Sequence, residues 1–184
     1  NDINIHYDYE DFGLFSKLPL IAAPMDTVVS SENYFDFFEL GINVCLPRGE
    51  HLYFGENLIS KSQTKINKVK FGNRMVFESF SLIDFTKHFV AKKAKFYPKH
   101  VLIDIANGHM SDLVYVTKKA KEYYGSTMVL MVGNIANPET YKTLSRAGAD
   151  YIRCGIGNGQ GCLTTLQTGV GYPMGSLVKE CYEA

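Results

Sequence analysis

Six short strand-like runs alternate with segments at helical spacing, and this alternation narrows the fold more than any other feature. The runs are Leu18–Ala23, Ile42–Leu46, Arg74–Phe80, Val101–Ala106, Thr127–Val132 and Ala149–Ile152. Brief apolar runs without strict alternation suit strands buried on both faces of a parallel sheet. Helices are expected between them. Ser31 predicts the cap of a helix carrying Tyr34, Phe37 and Phe38, stopped by Gly41. Leu82, Phe85 and Phe89 recur at helical spacing, and Ser111 predicts a cap for Leu113, Val116, Ala120 and Tyr124. Asn137-Pro138-Glu139 has a cap residue, a first-turn proline and a first-turn acid, and Gly148 ends its helix. Residues 173–183 read as a last helix, with Leu177, Val178 and Cys181 toward a core. Residues 1–18 read as irregular, and 48–72 as loop with a short helix at Leu58-Ile59.

Strand, loop and helix repeated about six times argue for an all-parallel α/β fold. A (β/α)8 barrel and a doubly wound sheet both fit, and both put ligands at strand C-terminal ends. Polar residues gather at those ends: Asp26, Ser79, Asp104, Asn134 and Cys162.

The last strand feeds Arg153-Cys154-Gly155-Ile156-Gly157-Asn158-Gly159-Gln160-Gly161-Cys162-Leu163-Thr164-Thr165. Glycine at every second position forms neither a stable helix nor an ordinary strand, and it lets backbone approach a ligand closely. The loop lacks the Gly-Lys-Ser/Thr of a phosphate loop and the spacing of a dinucleotide fingerprint. No Cys-x-x-Cys pair occurs, which disfavours a cysteine metal site. Cys162 ends the loop. A thiol held on exposed backbone amides is where a lowered pKa is useful. From glycine content alone, a surface turn with a bystander cysteine remains the alternative.

The chain has 184 residues, 46% hydrophobic and 21% charged, at a net charge of +0. That is enough core material for one domain. Neutrality argues against non-specific nucleic-acid binding. No apolar run reaches the roughly 20 residues of a membrane span, and no signal peptide is expected. Four cysteines without a framework spacing suggest a reducing, cytoplasmic setting. Cys45 and Cys181 read as core thiols and Cys154 as packing. His51, His88 and His100 read as surface residues, and His109 as a helix-start or solvent histidine.

Several segments together resemble the IMP dehydrogenase/GMP reductase family. They are Leu18-Pro-Leu-Ile-Ala-Ala-Pro-Met-Asp-Thr-Val28, Ile103-Asp-Ile-Ala-Asn-Gly108, Val132-Gly-Asn134, Ala147-Gly-Ala-Asp150 running into Gly155–Cys162, and Thr168-Gly-Val-Gly-Tyr-Pro173. They follow the family's order over residues 15–184. The resemblance implies a TIM (β/α)8 barrel, incomplete, with about six of eight units present, as one partial catalytic domain over residues 1–184. The Asp-Ile-Ala-Asn-Gly and Thr-Gly-Val-Gly-Tyr-Pro segments look more like GMP reductase. So does the short connection between the second and third strands, where dehydrogenases usually insert CBS modules. Pro24 leans toward the dehydrogenase.

The resemblance implies an NADPH-dependent purine nucleotide oxidoreductase converting GMP to IMP and ammonia. The alternatives are an IMP dehydrogenase without CBS modules, using NAD, and a non-catalytic remnant. Cys162 matches the thiolate that attacks purine C2, and Thr164 the threonine that aids proton transfer there. Gly157, Gly159 and Cys162 match the loop whose carbonyls hold a monovalent cation such as potassium. Asp104, Asn134 and Ser79 correspond to the cofactor pocket. Met25, Gly155, Gln160 and Gly161 correspond to the site for the purine mononucleotide. Gln160 replaces the family's serine near the 5′-phosphate, and Leu163 replaces a small polar residue. The family's last two barrel strands have no match, so the chain is expected to be truncated after Ala184 and inactive alone. The resemblance implies a cytoplasmic homotetramer at full length.

Overall fold

The structure is a computed structural model and describes residues 8–9, 14–15, 20–52 and 75–184. The expected helix at Leu58-Ile59 lies outside the described residues, as do Leu18, Pro19 and Arg74 of the strand runs. The chain divides into two compact units. One comprises Asn1–Ser79 with Phe96–His100, the other Phe80–Lys95 with Val101–Ala184.

In the first unit, β1 (Asp8–Tyr9) and β2 (Leu14–Phe15) pair antiparallel. Within residues 1–18, read from the sequence as irregular, these four described residues form paired strands. Strands β3 (Ile21–Ala22), β4 (Asn43–Leu46) and β5 (Val76–Phe80) are parallel and stand in chain order. Ile21 faces Asn43, and Val44 faces Val76. All of β4 is buried, as a parallel strand covered on both faces should be. Its one polar side chain, Asn43, is satisfied by the Met75 N–H at 3.1 Å. Helix α1 (Tyr34–Glu39) buries Tyr34 and Phe38 edge to face, with centroids 5.7 Å apart. These rings join Val29, Val44, Leu46, Leu52 and Val76 in one apolar cluster.

Ser31 does not cap α1. The cap position is Asn33, whose side-chain oxygen turns back to the Ser30 N–H at 2.7 Å, while the Ser31 N–H donates to the Glu50 carboxylate. Glu78 on β5 is fully buried. It accepts from the Leu52 N–H at 2.9 Å and meets His51 Nδ1 at 3.2 Å. A buried carboxylate needs such partners, so His51 is a structural partner rather than the surface residue expected.

His100 also departs from the surface reading. Its ring lies 5.3 Å from that of Phe77, and its Nε2 is enclosed with no partner among the described residues. Burial, then the neighbouring Lys99 charge, pushes the imidazole down to about 4. Between that value and 6.5 the unfolded chain binds more protons, so stability is retained above pH 6.5 and falls as pH drops toward 4. The expected loss at pH 5 is on the order of 2 kcal/mol. Urea midpoints at pH 7 and pH 5 check it, and His100→Phe should flatten the difference.

In the second unit, α2 (Leu82–Phe85) runs into wider turns over Thr86–Ala91. Ser81 caps it by accepting the Asp84 N–H at 3.1 Å. Phe85 and Phe89 are both buried, 4.9 Å apart. Next come β6 (His100–Asp104, of which Val101 onward lies in this unit), α3 (Ser111–Tyr124), β7 (Val129–Ile135), α4 (Pro138–Arg146), β8 (Tyr151–Cys154), α5 (Thr164–Thr168) and α6 (Met174–Glu183). On α3 the expected face of Leu113, Val116, Ala120 and Tyr124 is buried, but the cap position is Met110 rather than Ser111. Asn137 caps α4 as expected, accepting the Thr140 N–H at 2.7 Å. On α6, Leu177 and Cys181 are buried. Val178, expected in the core, is 54% exposed.

Strands β3–β8 with their intervening helices are those of an incomplete (β/α)8 barrel. No helix among the described residues is long and apolar enough to cross a membrane.

Candidate functional site

The second unit gathers most of the expected site residues at the C-terminal ends of β6, β7 and β8. Strands β7 and β8 pair with Gly133 opposite Arg153 and Ile135 opposite Cys154, so Asn134 is an extra residue in the ladder. A bulge re-aims the side chain at the extra position. Here the Asn134 N–H bonds the Ile105 carbonyl at 2.7 Å, and its side-chain Nδ2 donates to the Gly155 carbonyl at 2.8 Å. The Asn134 carbonyl accepts the Gly108 N–H at 2.7 Å. Asn134 therefore ties the end of β6 and the turn after it to the start of the glycine loop. Its side-chain oxygen makes no hydrogen bond among the described residues.

Asp104, at the end of β6, is paired with Arg153 on β8 at 2.6 Å. Both side chains are about three-quarters buried, where such a charge-assisted bond is stronger than at the surface. The sequence reading passed over Arg153. It is the charged residue of β8, separated from Gly155 by Cys154 alone and thus near a strand end, as Asp104 is.

Past β8 the backbone turns on Gly155 (φ +118°) and Gly157 (φ +76°). A Cβ at Gly157 would lie 1.6 Å from Thr165 Oγ1, and one at Gly155 would lie 2.4 Å from Met174 Cε. Thr165 is itself fixed by donating to the Val170 carbonyl at 2.9 Å. At Gly161 a Cβ would meet nothing within 4 Å, and at Gly159 only the Cys162 Cβ at 3.8 Å. The first two glycines are needed by the chain's own packing. The last two leave open space beside exposed backbone, where a ligand can approach.

Cys162 is exposed. Its N–H donates to the Gly159 carbonyl at 3.0 Å, which closes the loop's last turn. Hydrogen bonds from the Thr164 side chain, then the Thr164 backbone and the Gly157 backbone, hold the thiol below its ordinary pKa. Such bonds favour the thiolate, the nucleophilic form. Thr164→Val should therefore slow Cys162 alkylation near neutral pH by about two- to fivefold. Iodoacetamide kinetics against pH check it, with the inflection moving upward in the variant.

Gln160 and Gly161 are exposed next to Cys162. Met25 and Ser79 belong to the first unit. Met25 is exposed in the turn after β3, where its carbonyl accepts the N–H groups of Val28 and Val29. Ser79 is fully buried on β5, and its hydroxyl has no partner among the described residues. His109 holds the start of α4. Its Nε2 accepts the Ala136 N–H at 2.8 Å, which makes Nδ1 the protonated nitrogen facing Thr140 Oγ1 at 2.7 Å. Burial lowers its pKa. Among the described residues no group of three or more His, Cys, Asp or Glu side chains is arranged to hold a metal ion.

Comparison with known proteins fits this arrangement. The IMP dehydrogenase / GMP reductase domain family matches residues 12–184. GMP reductase of Shewanella pealeana is 31% identical over 187 residues, covering 100% of this chain and 52% of that protein. GMP reductase of Vibrio atlanticus is 32% identical over 172 residues, covering 92% and 48%. The crystal structure of inosine 5′-monophosphate dehydrogenase from Legionella pneumophila superposes with a TM-score of 0.69 at 26% identity, covering 94% of this chain and 50% of that one. The chain thus spans about half the length of these relatives. An incomplete TIM barrel with a glycine loop ending in an acidified thiol, matched by the family description over almost its whole length, belongs to the IMP dehydrogenase/GMP reductase family.

Proposed function

We propose that the protein carrying this chain is a GMP reductase-type enzyme that converts GMP and NADPH to IMP, ammonia and NADP. The observation that carries this reading is the exposed Cys162 thiol, acidified by Thr164 and Gly157 on the glycine loop. The Cys162 thiolate attacks C2 of the guanine ring, and a C–S bond forms as C2 becomes tetrahedral. The bond from C2 to the exocyclic nitrogen then breaks, and ammonia leaves after protonation. The Thr164 hydroxyl, two residues from Cys162 and a cause of its lowered pKa, would pass a proton at this carbon. NADPH supplies a hydride to C2 when bound. Breaking the C–S bond returns the thiolate and frees IMP. Covalent catalysis divides one difficult substitution into two easier steps.

Asn134 has an unused side-chain acceptor beside the Gly155 turn, a fit for the amide of a nicotinamide ring. Asp104, oriented by Arg153 at the neighbouring strand end, would contribute to the same cofactor site. Ser79 is proposed as a cofactor residue on the family resemblance. Carbonyls of Gly157, Gly159 and Cys162 would hold a monovalent cation. By the family resemblance Met25 would pack on the purine, and Gly155, Gln160 and Gly161 would line the nucleotide. By the family resemblance the full protein would assemble as a homotetramer.

The solved structure noted above is a dehydrogenase, which favours a second reading: oxidation of IMP to XMP with NAD and water. Two assays separate them. GMP with NADPH should lose the absorbance of reduced nicotinamide for a reductase, and IMP with NAD should gain it for a dehydrogenase. Inertness with both pairs would sink both readings.

A further inference from the structure

We propose that Cys154 and Cys181 are a modification site, a thiol pair that a peroxide converts to a disulfide joining β8 to α6. The two sulfurs lie 4.0 Å apart, and both cysteines are free. A disulfide needs about 2.05 Å, so a modest shift of one element closes the gap. Cys154 is partly exposed and Cys181 buried, so peroxide reaches Cys154 first. The Cys154 sulfur attacks a peroxide oxygen, the O–O bond breaks, and a sulfenic acid forms with release of water. The Cys181 sulfur then attacks the Cys154 sulfur, the S–O bond breaks, and a second water leaves. Two thiols and one peroxide thereby give one disulfide and two waters.

Burial, together with the neighbouring thiol of Cys181, pushes Cys154 up to about 12. The pair therefore reacts more slowly than Cys162 and is a separate site from the nucleophile. Its position gives the bond a consequence. Cys154 directly precedes Gly155, and Met174 on the first turn of α6 fills the space beside Gly155. Oxidation pins α6 to the strand that carries the glycine loop.

The test uses the Cys162→Ala chain, so that the exposed thiol takes no part. After hydrogen peroxide, the chain is denatured, labelled with N-ethylmaleimide, digested and weighed. The expected product is one cross-linked species containing Cys154 and Cys181, lighter by two hydrogens than the separate peptides and released by dithiothreitol. In the double variant with Cys154→Ser, Cys181 should remain fully labelled. Three results overturn the proposal: both cysteines labelled after peroxide, Cys154 paired instead with Cys45, or equal cross-linking when the chain is oxidised in urea.

Discussion

Cys162→Ala is expected to lower turnover of the protein carrying this chain by about 10⁴-fold or more, with nucleotide binding retained. The size follows from the chemistry. Alanine removes the atom that bonds C2, while Asp104, Arg153, Asn134 and the loop backbone that would position ligand keep their mutual bonds. The side chain is exposed and packs into no core, so its loss leaves no cavity. A kcat collapse with an unchanged Kd for GMP is the signature. Equal turnover in the variant would remove the covalent step.

The largest structural effect is expected from Gly157→Ala. A methyl group there would sit 1.6 Å from Thr165 Oγ1 and 2.8 Å from Thr165 Cβ, and the residue holds φ +76°. The hydroxyl could turn away, but the Cβ contact and the backbone angle would remain. Left-handed strain and overpacking together suggest a loss of ~2–5 kcal/mol. The same shift would withdraw the Gly157 backbone from the sulfur, so Cys162 should also become less acidic. Urea midpoints and iodoacetamide rates measure the two effects. Gly161→Ala is the control, because its methyl meets nothing within 4 Å. It should leave stability within ±0.5 kcal/mol of the parent.

The strand–helix alternation was legible because each element carries a local signal. The burial of β4, the Asn137 cap and the aromatic face of α2 all depend on residues close together in the chain. Failures came where a distant partner decided the outcome. Ser31 has the chemistry of a cap, but Glu50 takes its N–H. His51 looks like a surface imidazole until Glu78 is buried against it. Val178 falls at a core-facing spacing, yet α6 turns only Leu177 and Cys181 inward.

At the site, the glycine loop and Cys162 could be read directly, since alternating glycines leave few backbone options. The bulge at Asn134 could not, because it is a mismatch between two strands and neither sequence records it alone. Arg153 was half legible. Its charge was visible, but its partner lies 49 positions away. Asn134 itself was legible as a polar residue at a strand end, while the bulge that aims it and the ion pair of Arg153 depend on pairing across the sheet.

The most direct test is the competitive alkylation of the four cysteines of the folded chain with iodoacetamide across pH. Cys162 should react first, with its rate inflecting below the pH typical of a free thiol, while buried Cys45 stays protected. If Cys162 reacts no faster than Cys45, or inflects above an ordinary thiol, the sulfur is not a poised nucleophile and the mechanism built on it is wrong.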